Sequence, residues 1–302
     1  MTDVTTSLGG HPLRTPLIAA SGTVGSVVEL ARTGAFAAYG AAVAKSVSVE
    51  PWEGRPPPRL APAGEGMLNA IGIQNPGIEA WARDVAPRLA TVGVQVWGSA
   101  VGHHPVDFAA VAAGLEAAGV AAVEINLSCP NLDGDTMFAL DPGAAAKVVS
   151  EVRQAVGLPV GAKLSPNAAD VVAVAAAVGE SGADWVVLTN TVWGAAIDIE
   201  ARAPVLSSGV GGYSGAPVKP IALRCVLDVA GALPGLPIVG CGGVRSGADV
   251  VEYLMAGASA VAIGTAHFAE PRVGRRVLRE LVSWCELHGV AAVGELVGAV
   301  RR

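Results

Sequence analysis

The feature that most constrains this chain is a regular alternation of short apolar runs with alanine-rich amphipathic segments. Apolar runs joined by helical segments are typical of parallel strands, because each crossover helix covers one face of the sheet. Eight strands are predicted, at 17–20, 42–46, 94–97, 121–127, 160–163, 185–189, 238–241 and 260–263. The predicted helices between them include 106–118, 144–156, 170–180, 220–229 and 248–255. We therefore predict an α/β fold, a (β/α)8 TIM barrel.

Two further features complete this architecture. The pair Gly9-Gly10 separates two extended runs within 5–18, which predicts a small N-terminal β-hairpin that closes the bottom of the barrel. The segments 47–77, 129–142 and 190–217 follow strands and are longer than a barrel needs. Loops of this kind lie on the carboxyl-terminal face, where barrel enzymes carry their active sites. We predict one domain over residues 1–302.

The composition excludes several classes of partner. The chain has 302 residues and 52% hydrophobic residues, enough for a large core, and its net charge is -6. A mildly negative chain with few charged residues does not favour nucleic acid or an anionic membrane surface. Residues 1–10 lack the basic and apolar regions of a signal peptide, and no unbroken apolar run could span a bilayer. We expect a soluble, cytoplasmic protein.

The four cysteines, Cys129, Cys225, Cys241 and Cys285, show neither a CxxC spacing nor a disulfide framework. Reduced thiols and no metal site are therefore expected. Cys225 and Cys285 fall within helical patterns and are predicted to be packing residues. Any iron-sulfur chemistry would require another chain.

Cys129 lies in the most informative motif. Segment 125–131 reads Ile-Asn-Leu-Ser-Cys-Pro-Asn, which places the thiol after a predicted strand and between Asn126 and Asn131. Pro130 lacks a backbone N–H and biases Cys129 towards an extended conformation. Taken alone, a free cysteine is more often a buried small hydrophobe. Between two carboxamides it predicts a pocket that recognises a planar polar ring and exchanges a proton with it.

Polar residues recur at the predicted strand ends, where a barrel has its mouth. They are Ser21, Lys45, Gln95, Asn126, Lys163, Asn190 and Thr191. A single lysine there could extend to solvent or pair with a carboxylate. Two lysines and several amides at one mouth instead indicate a bound anionic ligand.

Two glycine turns follow the last two predicted strands. They are Cys241-Gly242-Gly243-Val244 and Gly264-Thr265. Loops at these places of a barrel often bind phosphate through backbone amides, and glycine allows close approach. One such pair alone would be a mere tight turn, but both together predict a phosphorylated cofactor or substrate. The amide-containing loop 67–77 could fold over a ligand that Asn69 binds, or could be a structural turn.

With these motifs assembled, the chain resembles the dihydroorotate dehydrogenases from about residue 15 to residue 268. The matching pieces are 20–23, 67–77, 126–131, 163–167, 190–191, 214–215, 242–243 and 264–265. The resemblance implies FMN-dependent oxidation of (S)-dihydroorotate to orotate in pyrimidine (UMP) biosynthesis. Class 1 members use a cysteine base, whereas membrane-associated class 2 members use serine and carry an amino-terminal extension, so Cys129 points to class 1.

Within class 1, segments 72–77 and 163–167 are similar to class 1B rather than to the fumarate-using class 1A. Class 1B catalytic chains pair with a second subunit that carries FAD and a 2Fe-2S cluster and passes electrons to NAD. The resemblance also implies a homodimer. The electron acceptor stays open among NAD through a partner, fumarate and quinone.

The resemblance implies roles for individual residues. Cys129 would remove a proton from C5 while C6 delivers hydride to N5 of FMN, and Lys163 would stabilise negative charge near N1 and the C2 carbonyl. FMN would be held by Ser21, Lys45, Ser46, Gln95, Asn126, Lys163, Gly215, Gly242, Gly243, Gly264 and Thr265. The pyrimidine and its carboxylate would be surrounded by Lys45, Asn69, Ala70, Ile71, Gly72, Ile73, Asn126, Asn131, Asn190 and Thr191.

Several residues depart from the family pattern, namely Gln95, Trp97, Thr189, Trp193 and Cys241. Gln95 replaces an asparagine expected to face the flavin. These departures leave open a related flavin barrel that acts on a modified pyrimidine. Two other hypotheses are a Schiff-base lyase that uses Lys163 on a phosphorylated sugar, and a barrel that has lost its flavin and acts as a binding scaffold.

Overall fold

The structure of the protein, a computed structural model, describes residues 2–127 and 137–301. The described strands are β1 (Thr6–Leu8), β2 (His11–Leu13), β3 (Leu17–Ala19), β4 (Ala41–Val43), β5 (Leu60–Ala63), β6 (Gly66–Asn69), β7 (Gln95–Ala100), β8 (Ala122–Asn126), β9 (Val160–Lys163), β10 (Trp185–Leu188), β11 (Val192–Gly194), β12 (Ile197–Asp198), β13 (Ala203–Pro204), β14 (Gly211–Gly215), β15 (Ile238–Cys241) and β16 (Ala260–Ile263).

Eight of these strands, all parallel, close into a barrel in the order β3, β4, β7, β8, β9, β10, β15 and β16. These are the eight strands predicted from the apolar runs, so the TIM-barrel prediction is confirmed. Strand order around the barrel follows chain order, as right-handed βα units require.

The described helices are α1 (Ile78–Asp84), α2 (Pro105–Ala117), α3 (Pro142–Ala155), α4 (Val171–Glu180), α5 (Lys219–Ala232), α6 (Gly247–Ala256), α7 (Ala266–Ala269) and α8 (Val273–Leu287). The five predicted helices are present as α2 to α6, within a few residues of the predicted bounds. The helical pattern expected around Cys285, for which no bounds were predicted, is helix α8. It buries Val273, Val277, Leu281 and Cys285, a spacing of four residues that keeps one apolar stripe facing inwards. No described helix is long and apolar enough to cross a membrane.

The N-terminal hairpin closes the bottom of the barrel, as predicted. Strands β1 and β2 pair antiparallel around Gly9 and Gly10, both of which have positive φ, a conformation that glycine adopts without steric cost. Leu8 and Leu13 are buried in the cluster that fills the barrel interior, together with Trp97 and Trp185. The hairpin therefore covers the amino-terminal ends of the strands with apolar side chains.

The long loops 47–77 and 190–217 form a second sheet that was not predicted. This cap sheet is antiparallel and four-stranded, in the order β11, β14, β6 and β5. It buries a small cluster of its own, made of Ala61, Leu68, Ala70 and Leu206. The two loops belong to the same structure because β6 pairs with β14, which is distant in the sequence.

Side chains alternate between the two faces of each barrel strand. In β8, Val123 and Ile125 belong to the layer between strands and helices, whereas Ala122 belongs to the barrel interior. Glu124 and Asn126 share the inward face with Ala122. The inward side chains thus change from apolar at the amino-terminal end to polar at the carboxyl-terminal end.

Candidate active site

A chain of polar side chains crosses the mouth of the barrel. Ser46 Oγ lies 2.8 Å from Ser99 Oγ, and Asn126 Nδ2 donates to Ser46 Oγ at 3.1 Å. Asn190 Nδ2 donates in turn to Asn126 Oδ1 at 3.3 Å. These residues come from β7, β8 and the segments that follow β4 and β10. The mouth chain, Ser99–Ser46–Asn126–Asn190, holds its amides in fixed orientations at the carboxyl ends of the strands.

Lys163 ends β9 beside Asn126 and is only 7% exposed. Its Nζ lies 3.9 Å from Oε1 of Glu124, which is buried one layer deeper. Burial disfavours the ammonium, but the nearby carboxylate of Glu124 favours it, and the net effect raises the pKa of Lys163 above its ordinary value. Burial also raises the pKa of Glu124, against the opposing effect of Lys163. Lys163 is therefore a cation at neutral pH.

Lys45 and Ser21 lie on the neighbouring side of the mouth. Lys45 shares the inward face of its strand with Val43, and its backbone N–H donates to Gly25 O at 2.9 Å. Ser21 Oγ donates to Ala44 O at 2.9 Å, which ties the end of β3 to the end of β4. Both residues are half-buried.

The two glycine turns lie side by side, because β15 pairs with β16. A Cβ at Gly243, which has a φ of +71°, would lie 2.7 Å from Lys219 Cβ and 2.9 Å from Ala216 O. Glycine is required there by close packing. A Cβ at Gly264 would make only ordinary contacts with Ala20 and Thr23, so close packing does not require glycine there.

Behind the second turn lies a buried histidine. His267 Nδ1 is 2.9 Å from Gly264 O, and Nε2 is 2.7 Å from Tyr39 OH. Because a carbonyl only accepts, Nδ1 carries the proton and Nε2 accepts from the tyrosine. Burial lowers the pKa of His267 to about 4, although the bond to Gly264 opposes the shift. The neutral imidazole therefore supports the turn.

The cap sheet is fastened to the mouth at two places. The backbone N–H of Thr191 donates to Asn190 Oδ1 at 2.8 Å, and the next residue begins β11. This hydrogen bond therefore connects the mouth chain with the cap sheet. On the other side, Asn75 Nδ2 donates to Ile73 O and to Ser48 Oγ, both at 2.9 Å. Ser48 follows the end of β4, so the loop that contains Ile73 is held against the rim.

The predicted substrate residues 69–73 belong to this cap. Asn69 Nδ2 donates to Gly212 O at 3.1 Å, and Thr191 lies so close to Gly212 that a Cβ there would collide with its hydroxyl. Gly72 and Ile73 both have positive φ, which is a strained conformation for a β-branched residue. Strain of this kind is often stored at functional sites. The structure thus brings Asn69, Asn190 and Thr191 to one side of the mouth.

Gly215 also reaches the mouth. It ends β14, and the next residue, Ala216, places its carbonyl oxygen against the turn at Gly243. Cap sheet and glycine turns therefore meet. Most of the predicted site residues lie at the mouth or in the cap above it. They are Ser21, Lys45, Ser46, Asn69, Ala70, Ile71, Gly72, Ile73, Asn126, Lys163, Asn190, Thr191, Gly215, Gly242, Gly243, Gly264 and Thr265.

The prediction for Gln95 is wrong. Gln95 begins β7 instead of lying near its end, and it is exposed at the bottom of the barrel, where Nε2 donates to Pro12 O of the hairpin at 3.2 Å. Strand β7 extends to Ala100, three residues beyond the predicted end at 97. The polar residue that this strand brings to the mouth is Ser99. The alternation of inward positions from Trp97 to Ser99 could have revealed it.

Other departures from the family pattern also have definite places. Trp97 lies inside the barrel with its ring centroid 4.9 Å from that of Trp185. Trp193 is half-exposed on the cap sheet, in β11. Thr189 and Cys241 are buried at the ends of β10 and β15, where Thr189 N donates to Cys241 O at 2.6 Å. The catalytic prediction for Cys129 and the substrate prediction for Asn131 lie outside the described residues.

The sequence predictions omitted two further mouth residues besides Ser99. Asn167 Nδ2 donates to Thr191 O at 3.1 Å, and its Oδ1 accepts from Trp193 N at 3.0 Å, so it positions the start of the cap sheet. Glu124 lies under Lys163. The signal for Glu124 was a lone acid within an otherwise apolar strand.

These residues fit FMN. The two glycine turns lie side by side at the ends of β15 and β16, and Lys163 supplies a buried cation in the mouth. The oriented amides of the mouth chain match the imide edges of a planar ring. An anionic, ring-containing ligand therefore suits the charge and the hydrogen-bonding groups of the mouth.

Comparisons with known proteins agree with this geometry. The family model for dihydroorotate dehydrogenase matches residues 3–284. A dihydroorotate dehydrogenase B (NAD(+)) catalytic subunit from Pelobacter propionicus is 43% identical over 300 residues, which cover 99% of this chain and 98% of the relative. The same-named subunit from Geobacter sulfurreducens is 42% identical over 300 residues, with the same coverage. Both names describe a catalytic subunit, which implies a partner subunit.

A solved structure supports the fold. The dihydroorotate dehydrogenase from Eimeria tenella, in complex with ferulenol, aligns with a TM-score of 0.83 and 21% identity, covering 98% of this chain and 88% of the other. The chain therefore belongs to the dihydroorotate dehydrogenase family, FMN-dependent oxidoreductases of pyrimidine biosynthesis, and within it to the class 1B catalytic subunits.

Proposed function

We propose that the polar mouth of this barrel binds FMN and (S)-dihydroorotate and carries out the oxidation to orotate. The observation that carries this proposal is the mouth chain beside the buried cation of Lys163. Fixed amides and a desolvated ammonium are suited to an anionic heterocycle, because both the ring edges and the charge find partners. The whole chain, 1–302, would act as one FMN-binding domain.

The cofactor would be held from several sides. Gly242, Gly243, Gly264 and Thr265 would take the phosphate, with Gly215 against the same turns. Lys163 would lie at the N1 and C2 edge of the ring, and the remaining contacts would come from Ser21, Lys45, Ser46 and Asn126. When bound, FMN supplies the N5 atom that accepts hydride from C6 of the substrate.

The substrate would lie between this cofactor and the cap sheet. Asn126 and Asn190 present oriented amides, and Asn69 and Thr191 approach from the cap. The ammonium of Lys45 matches the carboxylate of dihydroorotate. Residues 70–73 would close the pocket from the rim, and Asn131 would add a further amide.

Cys129 is proposed as the base that removes the proton from C5. It follows β8 in the sequence, two positions after Leu127. An ordinary thiol has a pKa near ~8.5, so flavin reduction should accelerate as pH rises through the pKa of Cys129.

The decisive test is Cys129→Ala. We expect the variant to retain FMN and to lose fast flavin reduction, by at least about 10²-fold, because the general base is removed. Stopped-flow absorbance of the flavin band after anaerobic mixing with dihydroorotate measures this rate. Cys285→Ala is the matched control, since it removes a buried thiol from helix α8, away from the mouth. An undiminished rate in Cys129→Ala would remove Cys129 from the mechanism.

The electron acceptor is proposed to be NAD, reached through a partner subunit with FAD and a 2Fe-2S cluster. The names of the relatives, with NAD(+) and catalytic subunit, support this. The NAD linkage also supports a cytoplasmic location, and we propose a homodimer as the core of the assembly. Reduction of NAD by the chain alone, or turnover with fumarate alone, would contradict this assignment.

The Schiff-base alternative has lost support. A Schiff-base lysine needs a neutral amine, whereas the nearby carboxylate of Glu124 raises the pKa of Lys163. The modified-pyrimidine alternative also has less support, because Gln95 lies at the bottom of the barrel and Trp97 packs in its interior.

A further inference from the structure

Glu124 has an unusual environment. It is 3% exposed and faces the barrel interior, where its neighbours on the same strand face are Ala122 and Asn126. Within the described part of the chain, its buried Oε1 has no hydrogen-bond partner. A buried, unsatisfied carboxylate oxygen is costly, so its presence requires a reason.

The nearby ammonium of Lys163 explains why a carboxylate is buried at this position. Glu124 and Lys163 lie on adjacent parallel strands, and Oε1 of Glu124 is 3.9 Å from Nζ. This separation exceeds hydrogen-bond distance, so the ammonium keeps its donors for a ligand while it still feels the negative charge. Both side chains are almost completely buried, so solvent screens their attraction little.

We propose that Glu124 is a positioning residue: its carboxylate holds the Lys163 ammonium from below and partly neutralises it, which limits how strongly Lys163 stabilises reduced FMN. The inference rests on the proposed function, since it needs FMN to lie against Lys163. Reduction of FMN places negative charge on the ring, which an uncompensated ammonium would stabilise further. Glu124 therefore keeps the flavin potential low enough for electrons to leave towards NAD.

The experiment compares one substitution that removes the charge of Glu124 with one that keeps it. Glu124→Gln keeps the shape and removes the charge, whereas Glu124→Asp keeps the charge and shortens the side chain. The midpoint potential of FMN in each purified holoenzyme is measured at pH 7 by anaerobic dye equilibration. Glu286→Gln, at an exposed position of α8, is the matched control for loss of one negative charge.

We expect Glu124→Gln to shift the equilibrium towards reduced FMN by about tenfold, which is about 30 mV for a two-electron couple. Glu124→Asp and Glu286→Gln should stay close to the wild type. A merely structural role predicts another order, because aspartate leaves a larger cavity than glutamine and would disturb the site more. Equal potentials in Glu124→Gln and wild type, or a lower potential in Glu124→Gln, would overturn the inference.

Two further results are distinguished, namely failure of Glu124→Gln to fold and failure of the wild-type chain to bind FMN. If Glu124→Gln does not fold, Glu124→Met removes the charge without burying an amide and must raise the potential in the same direction. A wild-type chain that binds no FMN would overturn the proposed function together with this inference. A wild-type flavin that dihydroorotate reduces, combined with an unchanged potential in the charge-removing variants, would overturn the inference alone.

Discussion

The two ends of the barrel are built from the same strands and yet differ completely in chemistry. At the bottom, Trp97 and Trp185 pack against each other and lie in one apolar cluster with the hairpin leucines. At the mouth, Asn126 and Lys163 occupy the same inward face a few residues further on. The bottom of the barrel therefore supplies stability, whereas the mouth has oriented polar groups in place of apolar packing.

The largest expected effect concerns the bottom. Trp185→Ala should lower the free energy of unfolding by about 3 to 5 kcal/mol, because it removes a fully buried aromatic side chain and leaves a cavity under the hairpin. Urea denaturation followed by circular dichroism measures this loss. The folded variant should keep the absorbance spectrum of bound FMN, since Trp185 begins its strand at the far end from the mouth.

Trp185→Phe is the matched control and should cost much less, because it preserves most of the buried volume. A loss below about 1 kcal/mol for Trp185→Ala would show that the bottom is not the stabilising end.

A smaller effect, specific to the mouth, is expected from acid. The pKa of His267 is about 4 in the folded protein against an ordinary 6.5, so the folded state holds this imidazole neutral. As pH falls from about 6.5 to 4, the unfolded chain takes up a proton that the folded chain does not. His267 should therefore lower stability progressively over this range, by roughly 3 kcal/mol at its end.

Urea unfolding at a series of pH values measures this dependence in wild type and in His267→Gln, which cannot take up the proton. The glutamine variant should show a flatter profile between pH 6.5 and pH 4. Parallel profiles for the two proteins would contradict the assignment of a neutral, buried imidazole behind Gly264.

The smallest expected effect is that of Gln95→Ala. Gln95 is exposed and bonds only to the hairpin among the contacts described above, so both stability and flavin reduction should change little, by less than about 0.5 kcal/mol in stability. Asn126→Ala, at the mouth of the next strand, is the contrasting variant and should slow flavin reduction by about tenfold or more. If Gln95→Ala and Asn126→Ala slowed flavin reduction equally, the mouth would not be the end of the barrel that carries out the reaction.

Local sequence signals predicted the barrel itself. Apolar runs of the right length marked all eight barrel strands, and Gly9-Gly10 marked the hairpin. The resemblance to dihydroorotate dehydrogenases, drawn from short motifs, is confirmed by the family match over residues 3–284. These features were predictable because burial on both faces and left-handed turns restrict which residues a segment can contain.

Long-range features escaped prediction. The cap sheet depends on the pairing of β6 with β14, far apart in the chain, and no local pattern in either loop encodes that partner. The length of β7 decided that Ser99, and not Gln95, reaches the mouth. Because the predicted end of β7 was three residues too early, the prediction assigned Gln95 to the mouth although it lies at the bottom of the barrel.

The amino-acid sequence indicates which residues belong to the mouth, because buried lysines and amides at the ends of apolar strands cost free energy unless they have polar partners. The contacts among these residues depend on the folded barrel. The register between β8 and β9 places Glu124 under Lys163, and a shift of one residue would turn either side chain to the opposite face. Strand register is set by the closure of the whole barrel, so it cannot be derived from either strand alone.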